Sequence, residues 1–196
     1  MTGDDVARVF FAVELGAPAR EAVASVVEAL RRRDERGNVR WVRTESLHVT
    51  LRFLGDVEVS QLGALARAVA RETARVAPFD LTLGAPVAFP SEKRPRVVVI
   101  GVAPAEALAR AAVAVERGVV AAGFPPEERP FRAHLTLGRT RGRRPPRLDD
   151  VAAPAHAPTP VRDVVLFKSD LHRDGARYTP LERAPLGGTN DSEPRL

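Results

Sequence analysis

A short pattern occurs twice in this chain: HVTL at residues 48–51 returns as HLTL at residues 134–137. In each copy a histidine and a threonine alternate with aliphatic residues, and this period of two is typical of a β-strand with one buried face. The histidine and the threonine of each copy therefore share the open face of their strand. The repeat predicts two strands that bury their aliphatic sides and bring two imidazoles and two hydroxyls to one cleft.

The length and composition predict one domain. The chain has 196 residues, 44% of them hydrophobic, which suffices for one core or for two fused half-domains. We expect a single domain over residues 1–183 and a disordered tail over residues 184–196. The polar start of the chain and the lack of an apolar run of about 18 residues predict a cytoplasmic protein with no membrane partner. The absence of cysteine excludes disulfides and thiolate metal ligands.

The charge of the chain is modestly positive. Lys and Arg together number 30 against 25 Asp and Glu, which gives a net charge of +5, and nearly all of the cations are arginine. Such a charge permits a nucleic-acid partner without requiring one. The arginine bias has two explanations that stay open here: bidentate contacts to phosphate, or a GC-rich genome.

The hydrophobic periodicity predicts the order β-α-β-β-α-β-β-α-β-β-β. We expect helices over residues 19–33, 59–77 and 104–121 and a loop over residues 141–160. The predicted strands cover residues 7–15, 39–42, 47–54, 79–89, 96–102, 131–138, 161–169 and 177–181. This order is typical of an α+β fold. Since the motif occurs once in each half, we predict a bilobal, pseudo-two-fold arrangement of two antiparallel or mixed sheets, with helices on the outer faces and an active-site groove between the lobes.

Two histidines in one cleft are suited to acid–base chemistry. The reference pKa of imidazole, about 6.5, lies near neutral pH, so one ring can act as a general base while the other acts as a general acid. Threonine hydroxyls beside them can donate to the non-bridging oxygens of a phosphodiester. A zinc site is the main chemical alternative. It would need a third and a fourth ligand, and the chain has neither cysteine nor an H-x-x-x-H spacing.

At these residues the chain resembles the two-histidine (2H) phosphoesterases, specifically the RNA 2′,3′-cyclic phosphodiesterases that are also called 2′-5′ RNA ligases. The resemblance covers almost the whole chain. The segments that carry it are RVFFAV at residues 8–13, LHVTLRFLG at residues 47–55, FPS with RPRV within residues 89–97, RPFRAHLTLGR at residues 129–139 and YTPL at residues 178–181.

The resemblance implies a metal-independent hydrolase, without a cofactor, that opens a 2′,3′-cyclic phosphate on RNA or on a nucleotide to a 2′-phosphomonoester. It implies that His48 and His134 are the catalytic pair and that Thr50 and Thr136 bind the phosphate. We expect His48 to act as the acid toward the departing 3′-oxygen and His134 as the base toward water, although two pseudo-symmetric lobes leave this order open. A monomer is the default expectation.

Three arginines near the motifs are further candidates for substrate contact. Arg139 matches a family arginine near the phosphate, but its odd offset from His134 requires Gly138 to bend the strand. Arg52 and Arg132 each lie two residues from a motif position, on the same predicted strand face. Contact with the substrate phosphate and simple solvation are both open for all three side chains.

Aromatic residues beside the motif are candidates for stacking a nucleobase. Phe11 and Phe53 are the candidates for this role, and packing in the core is the favoured alternative for Phe10 and Phe53.

Two other functions remain open. The same groups could run reversible 2′-5′ ligation and cleavage of RNA, or the protein could bind RNA ends without turnover. Retention of both imidazoles favours an enzyme.

Overall fold

Two antiparallel sheets and three α-helices make up the fold. The computed structural model describes residues 6–142, 145–172 and 175–187. The helices are α1 (Ala17–Arg33), α2 (Val59–Thr73) and α3 (Ala105–Ala121). The strands are β1 (Val6–Glu14), β2 (Val39–Trp41), β3 (His48–Glu58), β4 (Phe79–Phe89), β5 (Val97–Ala103), β6 (His134–Thr140), β7 (Thr159–Val161), β8 (Asp163–His172) and β9 (Gly175–Pro185).

The strand orders reveal two related lobes. One sheet has the order β3-β1-β8-β9, and the other has the order β2-β6-β5-β4-β7. Apart from the extra edge strand β2, the two orders correspond strand for strand, with β3 matching β6. Each of these two strands begins at a motif histidine, and they contact each other where the sheets meet. The predicted bilobal α+β fold is therefore confirmed, and every strand pair is antiparallel.

The two lobes share one hydrophobic core. Most of the fully buried side chains of both sheets and of the helices packed against them belong to a single cluster, including Val9, Leu65, Ile100, Leu135 and Leu166. Helices α2 and α3 pack directly against each other, although they come from different halves of the chain. At about 25 cal/mol per Å² of buried apolar surface, this shared core is the main force that fixes the lobes relative to each other.

The end of α1 positions β2 at the sheet edge. The helix ends at Arg33, and its C-cap is Asp34. The buried carboxylate of Asp34 accepts hydrogen bonds from the backbone N–H of Asn38 at 2.8 Å and of Val39 at 3.0 Å. These bonds fix the turn after the helix, and the chain then pairs with β6. The short strand β2 is thereby held beside the second motif.

The structure corrects several predicted boundaries. Helix α2 ends at Thr73 rather than at residue 77. Strand β7 covers residues 159–161, so it begins inside the segment 141–160 predicted as a loop. Strand β9 continues to Pro185, and Ala184 and Leu186 are buried. The folded domain thus extends past residue 183. Residues 188–196 of the predicted tail lie outside the described residues. None of the helices in the described ranges has the length and hydrophobicity that a membrane-spanning segment needs.

Candidate active site

The two motifs meet at one cavity between the lobes. It has a volume of about 270 Å³, and His48, Thr50, His134 and Thr136 all line it. The other lining residues are Arg8, Val42, Ser46, Phe53, Arg139, Ser169, Leu171, Ala176 and Tyr178. The four residues of the repeated motif therefore come together as the alternation predicts.

Both imidazoles are oriented by the same backbone contact. His48 Nδ1 lies 2.7 Å from the carbonyl oxygen of Ser46, and His134 Nδ1 lies 2.7 Å from that of Arg132. A carbonyl only accepts, so Nδ1 carries the proton in each ring and Nε2 is left for chemistry. His48 Nε2 lies 3.0 Å from the hydroxyl oxygen of Thr50. Each ring is thus held in the tautomer that leaves Nε2 available for proton transfer.

The His48 ring lies among aromatic rings. Its centroid is 4.8 Å from that of Phe10 and 5.0 Å from that of Tyr178, which meets it edge to face. Burial lowers the pKa of His48; the Ser46 carbonyl acts in the opposite direction, and positive charge on His134 lowers that pKa further. Burial also raises the pKa of Tyr178, which therefore remains a neutral hydroxyl at neutral pH.

The His134 ring packs against the aromatic ring of Phe89. It lies nearly parallel to the ring of Phe89, at 6.2 Å between centroids and 10° between planes. The Arg132 guanidinium lies 5.6 Å from the centroid of the same Phe89 ring. The Arg132 side chain does not line the cavity, and its predicted substrate contact stays a prediction. The contact that the structure shows for Arg132 at the site is made by its backbone carbonyl, which orients His134.

A β-bulge in β3 changes which side chains reach the groove. Thr50 pairs with Ala12 and Arg52 pairs with Phe11, so Leu51 has no partner on β1. The extra residue reverses the alternation beyond it, because two successive residues then oppose one. Arg52 consequently leaves the face of His48.

Arg52 instead forms ion pairs behind the groove. Its Nε donates to Glu116 at 2.7 Å, and its Nη1 lies 3.4 Å from Glu127. The remaining guanidinium nitrogen donates to the Pro125 carbonyl at 2.7 Å, and the side chain is only 11% exposed. The prediction that Arg52 contacts the substrate is therefore wrong, because strict alternation does not account for the bulge.

The same bulge exchanges the roles of two phenylalanines. Phe11 is 1% exposed within the main core, so the prediction that it stacks on a nucleobase is wrong. Phe53 is 40% exposed and lines the cavity. Its ring stacks on that of Phe10 at 5.3 Å between centroids, and the Arg8 guanidinium lies 5.6 Å from its centroid. Phe53 is thus the aromatic residue with a face open to the groove.

A matching bulge in β6 places Arg139 in the wall of the cavity. The register of β6 against β5 shifts at Leu137, and Arg139 then lies on the face of His134 and Thr136, where it lines the cavity. Gly138 is required for a different reason from the predicted bend: a Cβ there would lie 2.5 Å from Cγ1 of Val39 on β2.

Arg8 and Tyr178 are site residues that sequence reasoning missed. Arg8 alternates with Phe10 along β1, so the period of two contained the signal for its position. Tyr178 comes from β9, far along the chain, and only the pairing of β9 with β8 brings it to the groove. Among the described residues, no group of three or more His, Cys, Asp or Glu side chains could hold a metal ion.

Comparison with known proteins identifies the family of this chain. The family model described as LigT like Phosphoesterase matches residues 13–99 and then residues 100–178, one match for each half of the chain. The fold and the paired motif define a phosphoesterase, and the chain belongs to the LigT-like phosphoesterase family.

Individual relatives span nearly the whole chain. A protein of Methanothermobacter thermautotrophicus named RNA 2′,3′-cyclic phosphodiesterase is 33% identical over 184 residues, which cover 89% of this chain and 96% of that protein. The crystal structure of E. coli LigT in apo form has a TM-score of 0.75 and 28% identity, covering 94% of this chain and 100% of that chain. The crystal structure of TT0787 from Thermus thermophilus has a TM-score of 0.74 and 32% identity, covering 92% and 98%.

Proposed function

We propose that this protein hydrolyses the 2′,3′-cyclic phosphate of RNA ends or nucleotides to a 2′-phosphomonoester, without a metal ion. The observation that carries the proposal is the meeting of two imidazoles in one cavity, each with Nδ1 bonded to a carbonyl and Nε2 available. Supporting the reaction class, the relative from M. thermautotrophicus is named RNA 2′,3′-cyclic phosphodiesterase. A solved structure of E. coli LigT is complexed with 3′-AMP, which supports a nucleotide substrate and does not bear on which oxygen leaves.

The proposed reaction needs one base and one acid. His134 Nε2 takes a proton from water as the water oxygen forms its bond to phosphorus. The bond between phosphorus and the 3′-oxygen breaks, and His48, acting in its doubly protonated form with Nδ1 still bonded to the Ser46 carbonyl, gives its Nε2 proton to that oxygen. The products are a free 3′-hydroxyl and a 2′-phosphate, and the exchange of protons between the rings restores the enzyme. Each such group contributes roughly 10²- to 10⁴-fold to the rate.

The remaining cavity residues suit the charge of this substrate. The hydroxyls of Thr50 and Thr136 are donors for non-bridging phosphate oxygens, and the Arg139 guanidinium adds positive charge on the same side. The exposed face of Phe53 suits stacking of the terminal nucleobase, which is tolerant of base identity.

The test is hydrolysis of uridine 2′,3′-cyclic phosphate in the presence of EDTA, with the product resolved by anion-exchange chromatography. We expect turnover that survives EDTA and yields 2′-UMP as the only monophosphate. In ¹⁸O-labelled water, the label should appear in the phosphate group, because water attacks phosphorus.

Three results would contradict the proposal in different ways. Loss of activity on metal removal, restored by adding a divalent ion, would contradict the metal-independent mechanism. Formation of 3′-UMP would mean that the 2′-oxygen leaves. Tight binding with no turnover would identify an RNA-end binding protein instead of an enzyme.

A further inference from the structure

Two arginines face each other across the edge of the second sheet. Arg40 on β2 pairs directly with Arg139 on β6, and directly opposite residues of an antiparallel pair share one face. Like charges in this arrangement destabilise a sheet. Both side chains are exposed, and within the described ranges neither forms an ion pair with a carboxylate. The fold thus holds two positive charges together, and no carboxylate of the described residues pairs with either of them.

This arginine pair lines a second cavity that continues from the first. The second cavity has a volume of about 400 Å³, and Ser46, Arg139 and Tyr178 belong to the walls of both. Arg40 belongs to the second cavity alone, and a Cβ added at Gly175 would lie 3.9 Å from one of its terminal nitrogens. The two cavities therefore form one groove, with Arg139 at their junction and Arg40 beyond it.

The walls of the second cavity are positive. No described Asp or Glu lines it. Its described charged and titratable lining residues are Arg40, Arg43, Arg139, His172 and Tyr178. Arg43 is held in an ion pair with Glu45, which leaves the cross-strand pair as the charge directed at the cavity. A cavity of this size and charge fits one phosphorylated nucleoside unit.

We propose that Arg40 binds the phosphate that joins the terminal nucleotide to its 5′ neighbour, with Arg139 lying between that phosphate and the reacting one, so that the enzyme prefers an oligonucleotide over a mononucleotide. This inference rests on the proposed function. A cyclic phosphate occupies both the 2′- and the 3′-oxygen of the terminal ribose, so the RNA chain can leave the catalytic cavity only through its 5′-oxygen. The adjoining cavity is where that next phosphate would lie.

The experiment compares two substrates, uridine 2′,3′-cyclic phosphate and the dinucleotide UpU ending in the same cyclic phosphate. We expect the wild-type kcat/KM to be about tenfold higher for the dinucleotide, the scale of one charge-assisted contact at a partly exposed site. Arg40→Gln should remove this preference while leaving the rate for the mononucleotide unchanged. Arg110→Gln, which makes the same charge change at an exposed position on α3, should leave both rates unchanged.

Salt dependence gives a second readout. One more phosphate contact should steepen the plot of log kcat/KM against log salt concentration by about 0.7 for the dinucleotide relative to the mononucleotide. The two slopes should coincide in Arg40→Gln. The variant should also unfold at a Tm equal to or above that of the wild type, since it removes a like-charge pair and no bond.

The proposal would be overturned if Arg40→Gln slowed both substrates equally, or if wild-type enzyme did not distinguish them. Binding of the product UpU carrying a 2′-phosphate, compared with 2′-UMP by calorimetry, separates this proposal from the proposed function. If the enzyme hydrolyses neither substrate, the proposed enzymatic function is wrong, and the phosphate site is then tested by binding alone. Tighter dinucleotide binding that is lost in Arg40→Gln would still support the phosphate site, and equal binding would refute it.

Discussion

At the scale of single residues, the site depends on how each imidazole is held. A carbonyl two residues earlier in the chain fixes Nδ1 of both His48 and His134, so that the backbone of each motif orients its own ring. The rings differ in their surroundings. His48 is enclosed by Phe10, Phe167 and Tyr178, whereas the aromatic neighbour of His134 among the described residues is Phe89. The lobes are thus related in geometry but give their histidines different degrees of solvation.

The burial of His48 predicts a pH-dependent stability. Because its pKa is lower in the folded than in the unfolded protein, the unfolded chain binds more protons between the two values, and stability falls as the pH drops below about 6.5. His48→Asn keeps a donor but does not titrate. Urea unfolding at about pH 5 and about pH 8 should show a smaller loss of unfolding free energy in this variant than in the wild type. An equal loss in both proteins would contradict the assignment.

The negative charge of bound phosphate predicts how substrate alters the pH–rate profile. If His48 is the acid, activity is lost as the pH rises through its pKa, so the basic limb of the profile reports this group. Bound phosphate is negative and raises the pKa of a neighbouring imidazole. The basic limb should therefore lie at higher pH for kcat, which reports the complex, than for kcat/KM, which reports the free enzyme. Coincident basic limbs, or the reverse order, would contradict the contact between bound phosphate and the imidazole that acts as the acid.

At the scale of secondary-structure elements, two β-bulges decide the site. They follow Thr50 and Thr136 at equivalent places, and they turn Phe53 and Arg139 toward the groove. The sequence predicted the motif strands and their histidine faces, because alternation over a few residues is a local property. It did not predict the faces of Arg52 and Phe11. A bulge is an irregularity in the pairing of two strands, and the sequence of one strand alone contains no signal for it.

The contact between β2 and β6 predicts a sharp effect at Gly138. A Cβ at this position would lie 2.5 Å from Val39 Cγ1, so Gly138→Ala should force β2 away from β6 and lower the unfolding free energy by about 1–3 kcal/mol, as measured in urea. Gly101→Ala is the matched control on β5, since a Cβ there has nothing within 4 Å. Equal stability of the two variants would contradict the close packing of β2.

At the scale of the whole molecule, the groove forms because strands from each half of the chain pair with strands from the other half. β2 precedes the first motif yet pairs with the strand of the second, and β8 and β9 follow the second motif yet extend the sheet of the first. Local periodicity located most of the strands, but it contains no information on partners so distant in sequence. For this reason Tyr178 and Arg40 could not be assigned to the groove from the sequence, whereas the two-lobed architecture followed from the repeat itself.

Arg52 is a link between the lobes. It lies on β3, and its partners are Glu116 on α3 and Glu127 in the segment that leads to His134. Arg52→Met should lower the unfolding free energy by about 2 kcal/mol, because it leaves a partly buried carboxylate without its partner. Arg129→Met is the control: Arg129 also pairs with Glu127 but is 84% exposed, and its loss should leave the urea midpoint unchanged. Equal effects of both substitutions would mean that Arg52 does not join the lobes.

The most direct test of the central claim is the kcat for uridine 2′,3′-cyclic phosphate in His48→Ala, His134→Ala and the double variant. Each single substitution should lower kcat by about 10³-fold or more, and the double variant should be little slower than the slower single variant, because groups that act as a unit are not additive. Retention of a near-wild-type kcat by either folded single variant would contradict catalysis by the histidine pair.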